Sequence, residues 1–184
     1  MSNADDTLRD LRRTRQVRDL NGDPLTDEQL ESILEVARWT GSSQNKQVWR
    51  FVVIRDRETL RRLGTDAVSG ERKPGIGHLA GAGAGIAIVM PADGGNAALY
   101  DDGRVAERVL VAATALGLAG AIGWVRDHQQ DEVRSVLGLP DDRAVRTIVS
   151  VGLPTEKGAR PKAAPGEARL PLEELVHRER WREG

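Results

Sequence analysis

Gly41 to Trp49, GSSQNKQVW, joins a helical pattern to the apolar run Phe51-Val52-Val53-Ile54, and the fold turns on how that junction is read. Seven of its nine residues carry side chains that can hydrogen-bond. Polar groups inside a domain need partners, so a stretch this polar between two buried elements either satisfies itself or lies against a polar ligand. In the first case it is a helix-to-strand loop closed by its own Ser and Asn side chains. In the second, two serines, an asparagine and a glutamine, with the backbone N–H groups, read the edge of a planar heterocycle or hold a ribityl chain.

Upstream of the loop, Thr26 with Gln29 forms a capping box, and Leu25 with Leu30 forms the hydrophobic staple around it. Leu30, Ile33, Leu34 and Ala37 recur at the spacing of one helical face, which predicts a helix ending at Trp39 to Gly41. Asn21-Gly22-Asp23-Pro24 before it is turn chemistry. From Asp6 to Asp19 the chain holds five arginines, Arg9, Arg12, Arg13, Arg15 and Arg18, in a helix giving way to a loop. Such a charge run is usually a solvated helix face. Guanidinium groups at this density are also the preferred fork-shaped donors to phosphate.

Downstream, Arg50 to Arg55 reads as a buried strand, and Asp56 caps a short helix with Leu60 and Leu63 facing inward and Gly64 at the left-handed C′ position. Thr65 to Pro74 is polar and rich in breakers, the composition of a mobile, substrate-facing surface segment. Gly77 to Gly85 is glycine-rich, but its glycines precede the strand Ile86 to Met90 instead of following one, so it is not a dinucleotide fingerprint. Pro91 to Asp102 reads as a loop. Gly103 to Leu116 reads as a central helix, apolar on more than one face and ended by Gly117. Ala119 to Val125 is an extended segment whose Gly120 and Gly123 mark close approach, either of a ligand or of the preceding helix. A helix at Asp127 to Leu137, ended by Gly138 and Pro140, leads to a strand at Val145 to Val151. Gly158 to Gly166, with Pro161 and Pro165, is an extended arm. After it, Pro171 and two early glutamates start a terminal amphipathic helix with Leu172, Leu175 and Val176 to bury, too small to hold a core alone and therefore expected to dock on another subunit.

The 184 residues fit one domain over 1–184, and the balance of 27 basic against 28 acidic residues gives no global field for nucleic acid or membrane. The absence of cysteine excludes disulfides and thiolate chemistry, and three scattered histidines make no metal-ligand cluster. No leader-like or membrane-spanning run is present, so a cytoplasmic protein is expected.

Taken together, the arginine-rich start, GSSQNKQVW, the segment from Gly103 to Trp124 and RLPLEELVHRERW at 169–181 resemble the FMN-dependent nitroreductase family over almost the whole chain. The resemblance implies an α+β fold with a mixed central sheet flanked by helices, in an intertwined homodimer. Its extended C-terminal arm, residues 155–184, would cross to the partner subunit, and residues 1–5 would be disordered. It carries Ser42, Ser43, Asn45 and Gln47 over as FMN contacts, some reaching the partner subunit's cofactor. The family's Arg-x-Ser-x-Arg/Lys signature falls on Arg13-Thr14-Arg15-Gln16-Val17-Arg18. With Arg18 as anchor, the family serine lands on Gln16 and the first arginine on Thr14, which leaves Arg13 or Arg15 to grip the phosphate, with Arg15 nearer in every register. Arg169 matches the basic residue that completes the phosphate site, and AGAIGW matches the segment whose backbone meets flavin N5, here Ile122 and Gly123.

The activity implied is hydride transfer from NAD(P)H to flavin N5 and on to a nitroarene, quinone or enone, with no catalytic acid or base from the protein and with Arg18 stabilising the reduced flavin by charge. A specialised flavin or deazaflavin enzyme of the same fold, of dehalogenase or flavin-fragmenting type, is one alternative. A non-catalytic flavin-binding module is the other. The link between Leu63 and Gly103 is short for the family and implies an open or partner-built pocket.

Overall fold

A computed structural model of the chain describes residues 3–64, 75–161 and 169–181. The surface segment expected at 65–74 and most of the arm at 162–168 lie outside the described residues, as do Met1 and Ser2.

Four strands make one sheet: β1 (Arg50–Ile54), β2 (Ala84–Pro91), β3 (Ala119–Trp124) and β4 (Arg143–Gly152), in the order β1-β2-β4-β3 with every pair antiparallel. The mixed directions expected of the sheet reduce, among the described residues, to one isolated parallel bridge between Gln16 and Gly120 on the outer edge of β3. β2 is buried over its whole length apart from Pro91, as its continuous apolar run requires of a strand covered on both faces.

Helices supply the two covers. On one face α2 (Asp27–Arg38) and α4 (Gly95–Ala115) bring Leu30, Ile33, Val105 and Val109 against Ile86, Ile88 and Val149. On the other, α3 (Arg57–Gly64) and α5 (Gln130–Leu137) bring Leu60, Leu63 and Val133 against Ala87, Val89 and Ile148. Each such side chain, fully buried, contributes about 1.5–3 kcal/mol. The Thr26 capping box is formed as expected, with Gln29 N–H donating to Thr26 Oγ1 at 3.2 Å and Thr26 N–H to Gln29 Oε1 at 3.0 Å.

Four details depart from the sequence reading. α1 (Asn3–Arg13) includes residues 3–5, expected to be disordered; Asp5 and Asp6 in its first turn favour the helix N-terminus. α4 starts at Gly95 and not at Gly103, because Ala98, Asp101 and Asp102 extend the buried stripe of Val105 and Val109 backward by two turns. Gly64 is not left-handed. It is helical, and a Cβ there would stand 2.5 Å from the Ala80 nitrogen, so close packing selects glycine. The terminal helix shrinks to α7 (Leu172–Leu175), which follows the short α6 (Glu156–Ala159) and the arm. A helix this short gains too little without packing partners, and Leu172 and Leu175 are 71% and 57% exposed.

β2 and β4 carry one irregularity that positions a side chain. Ile88 pairs with Thr147 and Val89 with Val145, so Arg146 is an extra residue opposite no partner, a β-bulge. Such bulges re-aim the bulged side chain.

Candidate functional site

The expected site residues fall into two groups. The first lies along the outer edge of β3. Val17 N–H donates to the Gly120 carbonyl at 2.7 Å, and the Gln16 side chain lies over the strand, its Oε1 accepting from Ile122 N–H at 3.3 Å and from Arg18 Nη2 at 3.4 Å. Arg18 and Gln16 are both exposed.

Ladder parity separates the two backbone donors expected at a flavin. Val125 N–H bonds the Arg146 carbonyl, and Gly120 faces Val17, so odd positions of β3 point into the ladder and even ones to the open edge. Ile122 N–H therefore faces outward. Gly123 N–H faces Ile148, and the next outward donor is Trp124.

Gly123 has a packing reason instead. A Cβ there would lie 2.8 Å from His78 Nε2 and 2.9 Å from Ile76 Cγ2. At Gly120 a Cβ would meet the Ser150 carbonyl at 2.5 Å and Leu110 Cδ2 at 3.0 Å, so that glycine admits β4 and α4.

His78 is held behind the strand, its Nδ1 2.7 Å from Ser150 Oγ while Nε2 is buried without a hydrogen-bond partner. Burial, helped by the charge of Arg18 and opposed by the Gly75 backbone, brings its pKa down to about 4.

Arg15 is engaged with the chain itself. Its Nη2 donates to the Gly158 and Ala159 carbonyls, both at 2.8 Å, and so pins α6 where the arm departs. Thr14 bonds back to the Asp10 carbonyl through N–H and Oγ1, both at 3.1 Å, and Arg13 ends α1 in the open. Arg169 is exposed.

The second group is the polar loop, which folds as a 3-10 turn at Ser43–Asn45. Both readings of the sequence apply to parts of it. Gln47 N–H donates to Ser42 Oγ at 2.9 Å, and Gln47 Nε2 to Asn45 Oδ1 at 3.0 Å, so the loop closes on itself as a structural loop would. Yet Ser43, Asn45 and Gln47 remain exposed, and Gln44, Asn45 and Gln47 have φ of 52°, 55° and 47°. Positive φ at non-glycine residues costs on the order of 1–3 kcal/mol each and clusters at functional sites.

What holds the loop in this shape is Asp101, buried at the start of α4. Its Oδ2 accepts from Ser43 N–H at 3.0 Å, and its Oδ1 accepts from Arg104 Nη1 at 3.2 Å. The sequence reading missed Asp101 because it placed that position in a loop; an acidic residue breaking an apolar helical stripe was the signal. No hydrogen bond among the described residues joins this loop to the β3 edge. No three His, Cys, Asp or Glu side chains among the described residues are grouped to hold a metal, and no described helix is long and apolar enough to cross a membrane.

The nitroreductase family model matches residues 11–153, and the chain belongs to that family. A relative from Archaeoglobus fulgidus, provisionally named NADH dehydrogenase/NAD(P)H nitroreductase, is 29% identical over 91% of this chain and 94% of its own. The NADPH-flavin oxidoreductase of Vibrio harveyi is 28% identical over 96% of this chain and 75% of its own. Among solved structures, an FMN-dependent nitroreductase from Clostridium difficile superposes with a TM-score of 0.80 at 23% identity, covering 94% of this chain and 98% of that one, a likeness of fold.

Proposed function

We propose that the protein is an FMN-dependent oxidoreductase that moves a hydride equivalent from NAD(P)H to a small acceptor such as a nitroaromatic, a quinone or an enone. The observation that carries this reading is the outer edge of β3, where the Ile122 N–H, the Gln16 amide and the Arg18 guanidinium come together on an exposed surface. Those are the donors that the acceptor atoms on the edge of a flavin ring require.

Bound FMN supplies the two-electron chemistry; the chain binds and orients it. Arg18 would hold positive charge beside the bound ring, an electrostatic role that asks for no proton transfer from the protein. Ser42, Ser43, Asn45 and Gln47 form a preshaped polar rim, its strained turn held by Asp101. Because that rim and the β3 edge are separate within one chain, the site is completed across a homodimer, with the loop of one subunit facing the flavin of the other. Arg13, Arg15 and Arg169 are the cationic candidates for the phosphate, and Arg15 reaches it by giving up or sharing its bonds to Gly158 and Ala159.

Purified protein is expected to be yellow, with its oxidised-flavin absorbance bleached by NAD(P)H and restored by an added quinone. A colourless protein that takes up no FMN overturns the reading. Hydrogen bonds are worth about 0.5–1.5 kcal/mol net each. Ser43→Ala or Asn45→Ala alone should therefore weaken FMN only modestly, and the double variant should compound the losses. An unchanged FMN Kd in the double variant would make the loop purely structural.

A further inference from the structure

Among the described residues of the four strands, Trp124 carries the one large apolar side chain left exposed, at 56%. Side chains alternate along a strand, so the two faces of β3 can be assigned residue by residue. A Cβ on Gly120 would meet Leu110 of α4, whereas one on Gly123 would meet His78 and Ile76. Even positions therefore face α4. Ile122 packs there, half-buried against the cluster of Val105 and Val109, and Trp124, next on that face, stands out into the open.

The surroundings of the indole keep it there. Trp124 pairs with Thr147, which is buried and donates to Asp102 of α4, so a polar pair and not the apolar core lies beside the ring. At the Trp124 backbone another segment closes in, since a Cβ on Gly75 would stand 2.3 Å from the Trp124 carbonyl oxygen. The edge that carries the Ile122 N–H, Gln16 and Arg18 thus ends at Trp124, with a flat aromatic ring at its margin. The other two exposed indoles have partners: Arg38 lies over Trp39, and His177 stacks on Trp181. No such contact covers Trp124 among the described residues. A lone exposed apolar side chain needs no explanation by itself, but one that ends a donor-lined edge does.

We propose that Trp124 is the platform on which a flat aromatic acceptor lies once FMN is seated on this edge, and that it sets a preference for quinones and nitroarenes over non-aromatic enones. This preference rests on the flavin reading above. An electron-poor quinone or nitroarene ring offers its face to an electron-rich indole, a contact that adds to the apolar area it buries. Cyclohexenone, puckered and without an aromatic face, gains little from it.

Menadione and cyclohexenone, titrated into the oxidised FMN-loaded protein and followed by the change in flavin absorbance, test this without turnover. Wild type should bind menadione more tightly than cyclohexenone. Trp124→Leu and Trp124→Ala keep the backbone but remove the ring; each should weaken menadione about tenfold, about 1.4 kcal/mol, and cyclohexenone by less than about threefold. Trp124→Phe should restore most of the menadione affinity. In turnover at saturating NAD(P)H, the ratio of kcat/KM for menadione to that for cyclohexenone should fall about tenfold in Trp124→Leu, chiefly through KM, whereas general damage to the site would lower both values together. Yellow protein, bleached by NAD(P)H, in which neither ring-removing variant moves that ratio or the menadione affinity overturns the role of Trp124 alone. Equal losses for the two acceptors, or wild type that binds menadione no more tightly than cyclohexenone, would do the same. Protein that holds no FMN overturns the flavin reading together with it.

Discussion

Deleting residues 167–184 is expected to leave a protein that sediments as monomer or aggregate and has lost its FMN. The large apolar side chains at the described end of the chain are mostly exposed: Leu170, Leu172, Leu175 and Trp181 are 62%, 71%, 57% and 78% exposed, and α7 is a single turn. Meanwhile β1 is an edge strand, and along it runs a groove of about 620 Å³ walled by Leu30, Leu34, Val52, Val53, Val136 and Leu137. An open edge strand beside an apolar groove is a ready seat for another chain. An arm with exposed leucines, leaving the domain at the Arg15 clamp on Gly158 and Ala159, is an occupant of suitable chemistry. Exchange of arms between two subunits would satisfy both surfaces, and obligate dimers of this type commonly bury about 2,000 Å² or more.

Truncation removes the end of the arm and Arg169 together, so a point variant is needed to separate them. Arg169→Ala should keep the dimer but weaken FMN about a hundredfold or more, since stripping one partner from a buried charge pair costs roughly 3–5 kcal/mol. Sedimentation and flavin absorbance read both effects. A truncated protein that stays dimeric and yellow would exclude the exchanged arm.

Much of the fold was legible because its signals are local. The Thr26 and Gln29 capping box, the apolar period of α2 and the left-handed Gly117 and Gly138 each depend on residues within a few positions of one another, and each stands where the sequence put it. Gly64 was misread because a glycine after a short helix looks alike whether it caps the helix or admits a neighbouring backbone. Only the approach of Ala80, distant in sequence, decides between them.

The same limit applies at the site. The sequence marked AGAIGW as backbone contact, but which amides face outward is set by the register of β3 on β4, which turns Ile122 and Trp124 to the open edge and Gly123 into the ladder. Asp101 and His78 escaped because their roles consist of long-range contacts, one to Ser43 and one to Ser150 and the back of β3.

His78 and Asp102 should make the pH dependence of stability separable by single substitutions. Burial lowers the His78 pKa from 6.5 to about 4, so in that interval the unfolded chain holds a proton that the folded one does not. Stability from His78 is therefore fully present above 6.5 and is lost as pH falls toward 4, by roughly 3 kcal/mol at 1.36 kcal/mol per pH unit of displacement.

Asp102 runs the other way. Burial, only partly offset by Thr147 and Arg146, raises its pKa from 3.8 to about 6. The folded chain then holds the extra proton, and its contribution is present below 3.8 and lost as pH rises through about 6, again by roughly 3 kcal/mol. The two windows overlap from about 4 to 6 with opposite slopes, so in wild type they largely cancel there.

Denaturant unfolding at saturating FMN between pH 4 and 8 should expose each half, because cofactor and surface titrations drop out of the difference between variant and wild type. Relative to wild type, His78→Gln should gain stability as pH is lowered from 7 to 4, and Asp102→Asn should gain as pH is raised from 4 to 7, each by up to about 3 kcal/mol on top of a pH-independent packing cost. Variant and wild-type curves that run parallel across this range would mean that neither group is held away from its ordinary pKa.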